Sequence, residues 1–175
     1  INNTPNNLQS QGKISDPAKY YQYFINQGFK HHRVFLNYGI ILKNLGKLQE
    51  AEVCFRKAIV IKPDYAEAYL NLANISKNLG KLQEAEISLR KAIKIKPYYA
   101  KAYYNLGNIL IDLGKLQEAE VSLRKAIDIK PDYLLSYIFK GHALSELNEL
   151  EDALDSYQKA YNMNPDHPFL FGYIL

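Results

Sequence analysis

The heptapeptide Gly-Lys-Leu-Gln-Glu-Ala-Glu occupies residues 46–52 and returns unchanged at residues 80–86 and 114–120, at an interval of 34 residues. Four prolines keep the same interval, at Pro63, Pro97, Pro131 and Pro165. Self-similarity at a fixed period of 20–50 residues is the signature of an array in which each unit packs on its neighbours. The period therefore predicts a repeat protein.

Each repeat is predicted to contain two helices. If the proline is position 32, the repeats are residues 32–65, 66–99, 100–133 and 134–167. Apolar residues at positions 4, 7 and 11 predict helix A, and those at positions 17, 20, 24, 27 and 28 predict helix B. The proline ends helix B, because it cannot continue a helix.

Two small-residue positions support this division. Position 15 suits a left-handed residue that ends helix A, and it is Gly46, Gly80, Gly114 or Asn148. Position 8 allows two helices to approach closely, and it is Gly39, Ala73, Gly107 or Gly141.

This pattern resembles the tetratricopeptide repeat family over about four fifths of the chain. The first repeat matches the family's signature with Phe35, Tyr38, Gly39, Leu42, Ala51, Phe55, Ala58 and Pro63. The resemblance implies an all-α, right-handed superhelical solenoid with the A helices on its concave side. The fourth repeat departs at position 7, where Lys140 replaces an apolar residue.

The two ends differ from the repeats. We expect residues 1–13 to be polar and frayed, and residues 14–31 to form a divergent half-repeat with only helix B. Residues 168–175 are predicted to begin a further helix A or a junction. Their apolar side chains predict end-to-end self-association, and they are Phe169, Leu170, Phe171, Tyr173, Ile174 and Leu175.

Charged residues indicate the solvent-facing side. Glutamate and arginine recur four residues apart on helix B, which predicts ion pairs on its outer face. The pairs are Glu52–Arg56, Glu86–Arg90 and Glu120–Arg124.

We expect no catalytic site, metal or cofactor. Cys54 is the only cysteine, so an internal disulfide and a cysteine-based zinc site are excluded, and a reducing, cytoplasmic setting is predicted. The adjacent His31 and His32 are expected to point to different helix faces, and the other two histidines lie a repeat or more away. No apolar run approaches the roughly 20 residues that a membrane-spanning helix requires, so no membrane partner is expected.

The charge pattern argues against a nucleic-acid partner. The chain has 22 Lys and Arg against 18 Asp and Glu, a net charge of +4, and they are spread along its length. A nucleic-acid-binding protein usually concentrates basic residues in one stripe.

A protein or extended peptide in the concave groove is the predicted partner. An asparagine side chain can both donate and accept hydrogen bonds, so one asparagine per repeat can pair with a peptide backbone. Solvation of the groove, or bonding between helices, is the alternative role. The candidate binding residues lie at positions 6, 9, 12 and 13, and are Asn37, Asn71, Asn105, Asn74, Asn108, Lys43, Asn44, Lys77, Asn78 and Asp112.

Residues 63–97 also resemble the repeats of SPINDLY-like O-linked N-acetylglucosamine transferases. In that family, asparagines at position 6 hold the acceptor protein, which implies this role for Asn37, Asn71 and Asn105, whereas Phe139 interrupts the series. The tail from Asn164 is similar to the stretch that joins repeats to the catalytic part, so a nucleotide-sugar site would lie beyond Leu175. The alternative is a free-standing adaptor that assembles protein complexes.

Overall fold

The computed structural model describes residues 17–170, without the side chain of Phe169, and this part of the chain is helical with no strand. It contains nine α-helices, which confirms the predicted all-α repeat fold. They are α1 (Pro17–Asn26), α2 (His32–Asn44), α3 (Leu48–Ile61), α4 (Ala66–Asn78), α5 (Leu82–Ile95), α6 (Ala100–Asp112), α7 (Leu116–Ile129), α8 (Leu134–Glu146) and α9 (Leu150–Met163), followed by a 3₁₀ helix at Pro168–Leu170.

Position 15 ends helix A by adopting the left-handed conformation, as predicted. The φ angles there are 76° at Gly46, 73° at Gly80, 71° at Gly114 and 63° at Asn148. After α2, the Lys47 amide donates to the Leu42 carbonyl at 2.9 Å, which satisfies a carbonyl that the helix leaves without a partner.

The chain divides into two compact units, residues 1–81 and 82–175. In the first unit, α2, α3 and α4 share a core of buried side chains centred on Phe55, which is 0% exposed. In the second unit, α8 and α9 enclose Ile138, Leu144 and Tyr157.

Close contact between helices A and B explains the small residue at position 8. A Cβ atom built on Gly39 would lie 2.6 Å from Cε1 of Phe55, and one built on Gly107 would lie 2.5 Å from Cγ of Leu123. Gly141 has the same relation to Tyr157, at 2.7 Å. These distances are too short for a side chain without rearrangement, so the predicted close approach is confirmed.

The glutamates of the predicted ion pairs, Glu52, Glu86 and Glu120, stand at position 21 of their repeats. The prediction that they mark the solvent side is wrong. The pairs with arginine do form, at 2.7 Å for Glu52–Arg56, but Glu52 is only 9% exposed. It also binds Nζ of Lys81, which belongs to the next repeat, at 2.9 Å. The glutamate therefore joins two repeats instead of marking the outer surface.

The same bridge recurs in the second unit, where Glu86 binds Lys115 of the next repeat at 2.8 Å. The hydrogen bonds from Lys115 and Arg90 hold the pKa of Glu86 below its usual value although burial opposes this. Burial alone would raise the pKa of Glu52, but its hydrogen bonds with Arg56 and Lys81 outweigh burial and lower it.

The bridge is missing between the third and fourth repeats. Glu120 is paired only loosely with Arg124, at 3.7 Å, and the place of the bridging lysine is taken by Glu149. A pocket of about 410 Å³ opens there, lined by Glu120, Glu149 and the half-buried Lys140 among others. Lys140 thus marks a real change in local packing.

Exchanging Glu149 for lysine is expected to restore the bridge. We predict that Glu149→Lys unfolds in urea with a free energy about 0.5 kcal/mol higher than Glu151→Lys, in the range of exposed ion pairs. Both variants remove an acid from the start of α9, so their difference isolates the contact with Glu120. Equal urea midpoints for the two variants would show that position 149 does not interact with Glu120.

The ends of the described region agree with the sequence only in part. Helix α1 stops before Gly28, which has a φ of 81°, whereas residues 1–13, which we expected to be frayed, lie outside the described residues. Leu170 is buried, at 2% exposed, so its assignment to an exposed apolar end is wrong. Phe171, Tyr173, Ile174 and Leu175 lie outside the described residues.

Candidate functional site

The candidate residues lie on the A helices, which pack on one another within each unit. Helix α2 contacts α4 in the first unit, and α6 contacts α8 in the second, whereas α7 and α9 make no comparable contact. The A helices are therefore more closely spaced than the B helices. Positions 6, 9 and 13 are three or four residues apart and share one side of helix A; we call this side the A-helix face.

Two asparagines at position 6 already make internal hydrogen bonds. Nδ2 of Asn37 donates to the hydroxyl oxygen of Tyr21 at 3.0 Å. Nδ2 of Asn71 donates to the Glu67 carbonyl at 2.8 Å, and Asn71 is only 9% exposed. Asn105 is half-buried and also has an interaction partner. Part of the hydrogen-bonding capacity of this series is therefore used within the protein.

The other candidates are more accessible. Asn74, Asn108, Lys43 and Lys77 are half-buried, and Asn44, Asn78 and Asp112 are exposed. Burial raises the pKa of the Tyr104 phenol above its usual value, and a side-chain hydrogen bond with Asn108 offsets only part of this increase. The A-helix face is thus polar in both units, with the basic Lys43 and Lys77 at position 12 beside it in the first unit and the acidic Asp112 on it in the second.

An aromatic cluster in the second unit was missed by sequence reasoning. Tyr104 of α6 lies 5.0 Å from Tyr133 and 5.6 Å from Phe139 of α8, between ring centroids. Burial and the neighbouring Tyr104 raise the pKa of Tyr133 to about 12. The signal was an aromatic residue at position 6, where the other repeats have asparagine.

The side chains with potential for catalysis or metal binding are dispersed. Burial raises the pKa of Cys54 to about 11, so its thiol is protonated and unreactive at neutral pH. The expectation that His31 and His32 diverge is wrong: the rings stack at 4.3 Å, because His31 precedes α2 as its N-cap. Across residues 17–170, no three His, Cys, Asp or Glu side chains are grouped closely enough to hold a metal ion.

Helix length and polarity also exclude a membrane-spanning helix within the described part of the chain. None of α1–α9 combines the length and the apolar composition that crossing a bilayer requires.

Comparison with family models identifies the class of protein. Models described as tetratricopeptide repeat match residues 66–99, 100–133 and 134–167, and a model described as TPR repeat matches residues 39–80. Together they span residues 39–167, well over half of the chain. The chain therefore belongs to the tetratricopeptide repeat family. No enzymatic domain is seen among the described residues, which consist of repeats and their flanking helices.

Solved structures show the same fold at low sequence identity. A crystal structure of MamA is 23% identical, with a TM-score of 0.84, over 94% of this chain and 96% of that chain. MamA from Desulfovibrio magneticus is 19% identical, with a TM-score of 0.81, over 94% and 93%. YrrB, described as a tetratricopeptide protein with an unusual peptide-binding site, is 19% identical, with a TM-score of 0.81, over 96% and 87%. No curated protein sequence matches the chain.

Proposed function

We propose that the chain is a non-catalytic scaffold whose A-helix faces bind extended segments of partner proteins. The observation that carries this proposal is the set of partly accessible amide side chains on that face in both units, joined in the first unit by Lys43 and Lys77 at position 12. Asparagine offers a backbone both a donor and an acceptor, so it can hold an extended chain with little dependence on its sequence. The proposed setting is the cytoplasm, because a single buried cysteine suits a reducing compartment.

The internal hydrogen bonds of the position-6 asparagines refine this proposal. Nδ2 of Asn37 and Nδ2 of Asn71 each donate one hydrogen bond within the first unit. An amide oxygen can accept two hydrogen bonds, so these side chains serve a partner mainly as acceptors for its backbone amides. The internal bonds hold the amides in place, which lowers the entropy lost on binding.

Two forms of the scaffold remain as proposals. In one, the repeats recruit substrate for a SPINDLY-like glycosyltransferase; in the other, they form an independent adaptor. YrrB, which is described as having an unusual peptide-binding site, shares the fold and is compatible with either form. Sequencing the gene beyond Leu175 distinguishes them: a few hundred residues with alternating strand and helix patterns support the transferase form, and their absence supports the adaptor.

End-to-end self-association is the further part of the proposal. On α9, Leu150 and Leu154 are 60% and 61% exposed, and Tyr161 is 42% exposed. The two leucines are four residues apart and therefore adjacent on one side of the helix. Replacement of Leu150 and Leu154 by glutamine, or removal of residues 168–175, is expected to lower the association measured by sedimentation equilibrium. A monomer at all concentrations, with or without these residues, contradicts this part.

The asparagine role is tested with the triple variant Asn37→Ala, Asn71→Ala, Asn105→Ala. The probe is a synthetic peptide selected by the wild-type protein from a random library. A hydrogen bond contributes about 0.5–1.5 kcal/mol, and three at the lower limit amount to about tenfold in Kd. We therefore expect at least a tenfold loss by titration calorimetry.

Thermal unfolding separates binding from folding in this test. Asn162→Ala is the matched control, because Asn162 is exposed on the B helix α9. A folded triple variant with unchanged affinity rejects the role of these asparagines. A large fall in the melting temperature would instead assign them to structure.

A further inference from the structure

The aromatic cluster formed by Tyr104, Tyr133 and Phe139 lies in the second unit, where Phe139 interrupts the asparagine series after Asn105. Its rings meet edge to face or tilted, at centroid separations of 5.0 and 5.6 Å. Tyr104 lies on α6 and Phe139 on α8, so the cluster bridges neighbouring A helices. All three side chains are half-buried, which leaves part of each ring accessible.

The same positions in the first unit have a different character. Their residues are Leu36, Tyr65 and Asn71, and the first and last of these are 3% and 9% exposed. The first unit therefore offers one accessible ring at these positions where the second offers three. Accessible aromatic rings bind apolar side chains, and proline in particular, because they bury a large area with little loss of side-chain freedom.

The charges around the cluster are mainly basic. Nζ of Lys130 lies 5.5 Å from the centroid of the Tyr133 ring. Lys101 lies three residues before Tyr104, so the two share one side of α6. Both lysines are exposed, and Asp132, the one acid beside Tyr133, is also exposed. Two lysines against one aspartate favour an acidic partner at this position.

We propose that the aromatic cluster is a specificity pocket for a proline or aliphatic side chain of an extended segment in which acidic residues flank it. This inference rests on the proposed function and adds the chemistry of the bound segment. The rings take up the apolar side chain, Lys101 and Lys130 attract the flanking carboxylates, and the amides of the A-helix face are available to the backbone. The second unit thus selects the partner by side-chain chemistry, in addition to backbone contacts.

The test begins with a random 12-residue peptide library, displayed on phage and selected on the full chain. We expect the enriched peptides to contain proline or an aliphatic residue flanked by Asp or Glu. One synthetic enriched peptide then serves as the probe for titration calorimetry with Phe139→Asn and Tyr104→Leu. Each change introduces the residue found at that position in the first unit, so the fold is expected to tolerate it.

Each variant is expected to weaken binding about tenfold, equivalent to 1.4 kcal/mol. The double change Lys101→Gln, Lys130→Gln is expected to weaken binding at low salt. It should also make Kd less dependent on salt, because the attraction between these lysines and the peptide carboxylates, which salt screens, is then absent. Tyr98→Ala is the matched control: Tyr98 is 82% exposed and outside the cluster, so its loss should leave Kd unchanged.

The outcomes separate the inference from the function on which it rests. Peptides that bind Phe139→Asn and Tyr104→Leu as tightly as wild type overturn the pocket but leave the scaffold function standing. Enrichment of basic peptides overturns the proposed partner chemistry. If the library yields no binding peptide, both the pocket and the peptide-binding function are wrong.

Discussion

Phe55→Ala is expected to lower the free energy of unfolding by about 3–5 kcal/mol, the cost of deleting a fully buried phenylalanine side chain. The ring is 0% exposed and lies at the centre of the core shared by α2, α3 and α4. Its loss removes contacts to all three helices at once and leaves a cavity that rigid helices cannot close. Urea unfolding followed by circular dichroism, analysed with a nearest-neighbour model for repeats, measures this loss.

Val60→Ala is the matched control for this experiment. Val60 lies on the same helix, α3, but is 80% exposed. Its replacement should change the free energy of unfolding by no more than about 0.5 kcal/mol. Comparable losses in the two variants would mean that the core of the first unit is not centred on Phe55.

The pair Gly39 and Phe55 is expected to show strong coupling. Gly39→Ala places a Cβ atom 2.6 Å from the buried Phe55 ring. Overpacking of this kind costs about 1–3 kcal/mol, which is partly offset by about 1 kcal/mol of better helix propensity. We expect a net loss of about 1–2 kcal/mol from Gly39→Ala alone, and a similar loss from Phe55→Leu, which leaves a void.

The double variant Gly39→Ala, Phe55→Leu should regain most of the stability. It reproduces the residues of the second repeat, Ala73 at position 8 and Leu89 at position 24. The added methyl group then occupies space that the ring has left. A double-mutant cycle is expected to give a coupling free energy of about 2–3 kcal/mol, within the range for residues in contact. Additive losses would show that the two positions do not compete for the same space.

Much of the fold could be predicted from residues that act locally. Gly46, Gly80, Gly114 and Asn148 identified the ends of the A helices, because the left-handed conformation is readily adopted by few residue types. The small residue at position 8 likewise predicted close packing that the structure confirms at Gly39 and Gly107. The bounds of the repeats and the roles of the groove residues remain predictions.

The errors concern contacts that the spacing within one helix does not reveal. Glu52 was assigned to the solvent side because only its neighbour Arg56, four residues away, could be inferred from helix geometry. Its second partner, Lys81, is 29 residues away in the next repeat. The stacking of His31 on His32 was also missed, because His31 is the N-cap and does not follow the spacing of the helix.

The sequence by itself determined the period, the helical character and the family, because each depends on residues within one helix or on their exact recurrence. Only the tertiary structure decided which polar groups are already bonded within the protein and which rings meet. Asn71 uses its amide internally, and Tyr104 reaches Phe139 on another helix. Such contacts depend on how neighbouring helices are placed, and many arrangements of side chains are compatible with one pattern of apolar residues.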